Sequence, residues 1–195
     1  MPSKFDPKKH YRRSIRLKGY DYTQSGAYFI TICTHGRMSL FGDIIAGEMR
    51  LNRLGQIAQQ EWSRLPGRFP LLQPGAFVVM PNHVHGILII TGRGTADTEM
   101  DLFLEDSRRA PTSATTHERF GRPVRGSIPT MIRSYKSSAT WLINRLRERP
   151  DHPVWQRNYY EHVVRNCDDW ERIQTYISNN PRLWDEDAIN PNRID

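Results

Sequence analysis

Apolar and polar positions change their period several times along the chain, and each change marks an element. Ala27 to Thr34 is rich in β-branched and aromatic residues and ends at His35 and Gly36, as a central strand does. Leu40 to Asp43 and Glu48 to Leu51, separated at Gly47, suggest a short hairpin. From Asn52 the apolar residues Leu54, Ile57, Ala58, Trp62 and Leu65 recur at helical spacing until Pro66 and Gly67 stop them. Phe77 to Pro81 and His83 to Thr91 then read as two antiparallel strands joined tightly at Pro81 and Asn82.

A second helix is predicted from Ile128 to Arg147, where Ile132, Tyr135, Ala139, Leu142, Ile143 and Leu146 recur at helical intervals. After Pro150 and Pro153, the stretch Val154 to Val164 reads as one more strand. A third helix from Asp168 to Asn180 ends at Pro181, and Trp170, Ile173 and Ile177 form its apolar stripe. Residues 92–126 show no sustained period and read as an irregular insertion, and residues 1–19 as a basic arm. The order β, hairpin, α, β, β, α, β, α predicts a single α+β domain over 1–195, an antiparallel sheet of ferredoxin-like or RRM-like plan flanked by helices.

The strand pattern gives His83 and His85 a chemical meaning, because residues i and i+2 of a strand face the same way. Two imidazoles side by side at the start of a buried strand suit a metal ion. A chance pairing among seven histidines explains the triplet equally well, since two ligands do not make a site.

Charge adds a partner. Lys and Arg number 28 against 21 Asp and Glu, a net charge of +7, which favours a polyanion such as nucleic acid. Arg12, Arg13 and Arg16 of the arm, with Arg133 and Lys136 on the second helix, are the candidate phosphate contacts. Cys33 and Cys167 have neither disulfide-framework nor zinc-knuckle spacing, and no apolar run reaches spanning length. A cytoplasmic protein without a membrane partner is expected.

On the last helix, Tyr176 and Asn180 are one turn apart, about 40° around the axis, and border the apolar stripe. A phenol and an amide oxygen can therefore face one point. Tyrosine suits an enzyme that cuts a strand and conserves the bond as a phosphotyrosine. Taken singly, each residue is explained as well by packing or by helix termination. Two imidazoles and an amide oxygen are neutral donors, a mixed set better matched to Mg2+ or Mn2+ than to structural zinc.

Four segments carry a family resemblance: Ala27 to Thr34, Val79 to Ile90, Ile132 to Lys136, and Trp155 to Asn166 running on to Tyr176 through Pro181. In these the chain resembles the REP-associated tyrosine transposases, within the single-tyrosine HUH transposases. The resemblance implies metal ligation by His83, His85 and Asn180. It implies attack by Tyr176 on single-stranded or hairpin DNA, giving a 5′-phosphotyrosine and a free 3′-hydroxyl with Mg2+ or Mn2+, in a monomer or a homodimer. The insertion at 92–126 departs from the family pattern.

Other readings compete. Tyr159 and Tyr160 are rival nucleophiles, of which strand alternation sends one to the site face, and His162 and Glu161 are candidates to orient a ligand. A non-catalytic single-strand-binding module would display Tyr28 and Phe29 for base stacking. A metal-dependent phosphodiesterase would use water and leave Tyr176 structural.

Overall fold

The computed structural model describes residues 20–92 and 124–193. Arg12, Arg13, Arg16 and most of the 92–126 segment lie outside them. Among the described residues, six strands and four helices follow one another as β1 (Gly26–Cys33), β2 (Gly42–Ile45), β3 (Glu48–Leu51), α1 (Arg53–Ser63), the single turn α2 (Leu65–Arg68), β4 (Leu72–Val79), β5 (His83–Ile90), α3 (Ile128–Arg147), β6 (Tyr160–Val164) and α4 (Cys167–Asn179).

Strands β4, β5, β1 and β6 form one antiparallel sheet in that spatial order, and β2 with β3 form a separate ribbon. With the ribbon set aside, the chain order β1, α1, β4, β5, α3, β6 with β1 and β5 central is the expected ferredoxin-like arrangement.

Alternation in the central strands builds two apolar layers. Tyr28, Ile30 and Ile32 of β1 with Val84 and Leu88 of β5 pack against Ala58 and Trp62 of α1 and against Ile132, Tyr135 and Ile143 of α3. On the reverse face, Ala27, Phe29, Ile87 and Ile89 meet Trp170, Ile173 and Ile177 of α4. Each buried side chain of this size contributes roughly 1.5–3 kcal/mol. Asn52 caps α1 by accepting from the amides of Leu54 and Gly55, and Asn166 caps α4 by accepting from that of Asp169.

Gly86 has a packing reason. A Cβ there would stand 2.4 Å from Trp62 Cζ2 and 2.8 Å from Phe77 Cδ2. Its absence lets the Trp62 ring stack on Phe77 at 4.5 Å directly over β5.

Three expected boundaries are corrected. β4 starts at Leu72 rather than Phe77, and the register shifts between Pro74 and Phe77, where Pro74 has no N–H to give the ladder. The first strand of the ribbon starts at Gly42 rather than Leu40, and its turn is formed by Ala46 and Gly47, both at positive φ.

The strand predicted over Val154 to Val164 shrinks to Tyr160–Val164, preceded by an isolated bridge between Trp155 and Thr34. Between bridge and strand, Lys136 Nζ donates to the carbonyls of Gln156 and Arg157. Those acceptors serve the helix in place of a ladder. Among the described residues, no helix is long and apolar enough to cross a membrane.

Candidate metal centre and nucleophile

β5 opens the site by turning His83 and His85 toward the α4 face, where they are 0% and 2% exposed. Their outer nitrogens are anchored first. Asn82 uses its Nδ2 to donate to the carbonyls of Arg37, at 3.2 Å, and Ile189, at 2.9 Å. Its Oδ1 therefore faces His83 Nδ1 at 2.8 Å and must accept from it. That bond puts the proton of His83 on Nδ1 and leaves its Nε2 as a lone pair. Thr31 Oγ1, 2.8 Å from His85 Nδ1, holds the orientation of the second ring.

The two Nε2 atoms converge at 2.9 Å. Two donors about 2.1 Å from one octahedral ion, at right angles, are ~3.0 Å apart. Burial drives the pKa of His83 down to about 4 despite the opposing Asp187 carboxylate, and burial followed by the His83 neighbour drives His85 well down. Both rings are therefore neutral at pH 7. Two neutral imidazoles whose Nε2 atoms converge on a common point can serve as a donor set for a cation.

Oxygen donors complete it. Asp187, beyond α4 and after a 3-10 turn at Trp184–Glu186, has Oδ1 fixed by the amide of Ile189 at 2.7 Å. Its Oδ2 points to His83 Nε2 at 3.7 Å, and it has no hydrogen-bond partner. The ligand atoms of His83, His85 and Asp187 lie within 4.8 Å of one another, so these residues form a group able to hold a divalent metal. Asn180, the C-terminal cap of α4, is 2% exposed and its Oδ1 is likewise buried without a partner. Such orphaned oxygens carry a desolvation cost that a bound cation would offset.

Tyr176 reaches the same point, its hydroxyl 3.2 Å from His85 Nε2 and its ring edge-on to Phe29 and to His85. Burial and then the Asp187 charge raise the phenol's pKa, against a smaller lowering by Asn180. A cleft of about 860 Å³ lined by Phe29, Tyr160, His162 and Arg172 opens in front of it.

The structure thus brings His83, His85, Asn180 and Tyr176 together. It adds Asp187, which pattern reading missed because the tail after Pro181 has no period and its approach to β5 is purely tertiary. With a carboxylate in the set, the donors are not all neutral as expected. Both rival tyrosines line the cleft, Tyr160 with its ring 6.2 Å from that of Phe29 and Tyr159 packed also against the helix-side core. His162 is held by Asp169 at 2.7 Å and Asp169 in turn by Arg172. Arg133 is exposed on α3, whereas Lys136 is committed to backbone carbonyls.

The stacking surface imagined for a non-catalytic module is not there. Tyr28 is fully buried and Phe29 is 8% exposed beneath α4.

A REP-associated tyrosine transposase solved with a REP hairpin superposes with a TM-score of 0.51 at 18% identity, over 88% of this chain and 72% of that one. The chain has the fold of that transposase. A proposed transposase of Deinococcus radiodurans r1 gives a TM-score of 0.41 at 18% identity, covering 85% of this chain and 97% of its own. An uncharacterized protein of Haemophilus influenzae is 39% identical over 189 residues, 97% of this chain and 98% of its own length, and the chain belongs to one family with it. No family model matches. In the transposase fold seen here, the imidazole pair sits on a central strand and the tyrosine on the helix that covers it.

Proposed function

We propose that this protein is a DNA endonuclease and strand transferase of the single-tyrosine type, acting on single-stranded or hairpin DNA. The observation that carries the reading is the Tyr176 hydroxyl 3.2 Å from a nitrogen of the converging imidazole pair. A nucleophile and a cation's donor set meet in one cleft of a basic protein.

In the proposed reaction the Tyr176 oxygen attacks phosphorus and the bond to the 3′-oxygen breaks. The products are a 5′-phosphotyrosine and a 3′-hydroxyl that takes up a proton. Rejoining reverses these events on another 3′-hydroxyl, so no bond energy is lost to water. A divalent cation, Mg2+ or Mn2+, held by His83, His85 and Asp187 with Asn180 beside them, would supply Lewis-acid charge at the phosphate and favour the phenolate. Nitrogen donors make Mn2+ the better fit of the two. α4 fixes the phenol through its packed stripe of Trp170, Ile173 and Ile177, which holds the attacking oxygen in place. Since one chain supplies Tyr176 and both imidazoles, a monomer contains the full set, and a homodimer need not exchange α4.

The decisive experiment incubates the protein with Mn2+ and a labelled hairpin oligonucleotide, then denatures it. A label that stays on the protein and disappears in Tyr176→Phe supports the proposal. Cleavage that persists in Tyr176→Phe would assign the site to water-dependent phosphodiester hydrolysis.

A further inference from the structure

α3 ends at Glu148, in the left-handed conformation, and the chain turns back along the helix. Asn144 Nδ2 ties down the carbonyls of Pro150, at 3.0 Å, and His152, at 2.8 Å, and Lys136 those of Gln156 and Arg157. Between helix and returning segment lies a groove of about 960 Å³.

Its contents are unusual for a surface with only a structural task. Trp141 is 61% exposed, and the Arg145 guanidinium lies 5.4 Å from the centre of its ring. Arg133 and Arg157 line the same groove, where Glu148 is the only acid among the lining residues. Among the described residues, no carboxylate pairs with Arg133, Arg145 or Arg157. Gln156 and Tyr159 line both this groove and the cleft in front of Tyr176, so the two adjoin at these residues.

We infer that the α3 groove is a binding track for the single-stranded DNA flanking the scissile phosphate, with a base stacked on Trp141 and phosphates met by Arg133, Arg145 and Arg157. The inference rests on the reading of Tyr176 as a DNA nucleophile. An exposed indole face calls for an unpaired base, because in a duplex the base faces are already stacked on one another. Three guanidiniums against one carboxylate fit a polyanionic backbone. Lys136, tied to carbonyls, shapes the groove and does not reach out to a phosphate.

The test is anisotropy of a fluorescein-labelled, mixed-sequence single strand, since base stacking on an aromatic tolerates any sequence. Trp141→Ala should weaken binding roughly 5- to 150-fold, the scale of one stacked base. Joint Arg133→Ala and Arg157→Ala should make the logarithmic salt slope shallower by about 0.7 for each phosphate no longer neutralised. A strand carrying 5-iodouracil should cross-link to the peptide bearing Trp141.

Wild-type affinity in the Trp141→Ala protein, with cross-links elsewhere, overturns the track. So does full DNA affinity in that variant combined with abolished binding of polyglutamate, which would make the groove an acidic-peptide site. Adduct formation by the wild-type protein, measured in parallel, separates the two levels. An adduct with unaltered Trp141→Ala binding sinks the track alone, whereas neither adduct nor strand binding removes the underlying reading as well.

Discussion

The Tyr176 hydroxyl meets His85 Nε2 at 3.2 Å across 91 positions of sequence. β5 and α4 achieve this without any local contact, through the apolar layer of Phe29, Ile87, Ile173 and Ile177 between them. Tyr176 is 40% exposed, so removing its hydroxyl has little to destabilise. Tyr176→Phe is expected to melt within about 0.5 kcal/mol of the wild type and to form no covalent DNA adduct. Thermal denaturation and a denaturing gel check the two halves.

Asn82 sets which nitrogen of His83 is free, since its amide is itself held by two carbonyls. Asn82→Ala should lower Mn2+ affinity about 10- to 100-fold, as removal of a partner behind a metal ligand does. Titration calorimetry measures it. A variant that binds Mn2+ as tightly as the wild type would refute the orienting role.

Asp187 supplies a carboxylate beside the imidazoles. Added Mn2+ should raise the wild-type melting temperature, by the equivalent of about 2.7 kcal/mol at a hundredfold excess over the dissociation constant. Asp187→Asn keeps the shape and removes the charge, so it should lose most of that rise. Retention of the full rise would place the cation elsewhere.

Far from the site, Glu61 is 1% exposed and bonded to Arg64 at 2.6 Å and Arg68 at 2.5 Å. Burial pushes its pKa up, yet bonds from Ser138, Arg68 and Arg64 together leave it below the ordinary value. With the folded pKa depressed, the contribution is complete above the unfolded value near ~4.3 and fades as pH falls through the folded one. Glu61→Gln should cost about 1.5–3 kcal/mol at pH 7 and less in acid. Urea melts at both pH values give the difference.

Gly86→Ala places a methyl group against Trp62 and Phe77. Overpacking of this kind costs about 1–3 kcal/mol. A lower urea midpoint with an unchanged slope is the expected signature.

Much of this architecture is written in short-range pattern. Alternation in β5 put His83 and His85 on one face, and the helical stripe of α4 placed Tyr176 beside Asn180, because both periods follow from backbone geometry. What pattern did not disclose depends on partners far away in the chain. Residues 156–159 look like strand, but the carbonyls of Gln156 and Arg157 are claimed by Lys136. Asp187 sits in an aperiodic tail, and the amide of Ile189 and the fold of the tail against Asn82 help bring its carboxylate to β5. Trp141 is absent from the apolar period of α3, and its 61% exposure puts it outside the helix-side core.

β5 has one further consequence. Val84, Gly86 and Leu88 face the α1 and α3 layer while His83 and His85 face the other way, so a slip of one residue would drive both imidazoles under Trp62. A misassembled molecule would therefore be chemically silent as well as unstable. For a protein proposed to break DNA, the strand's own parity acts as a safety catch.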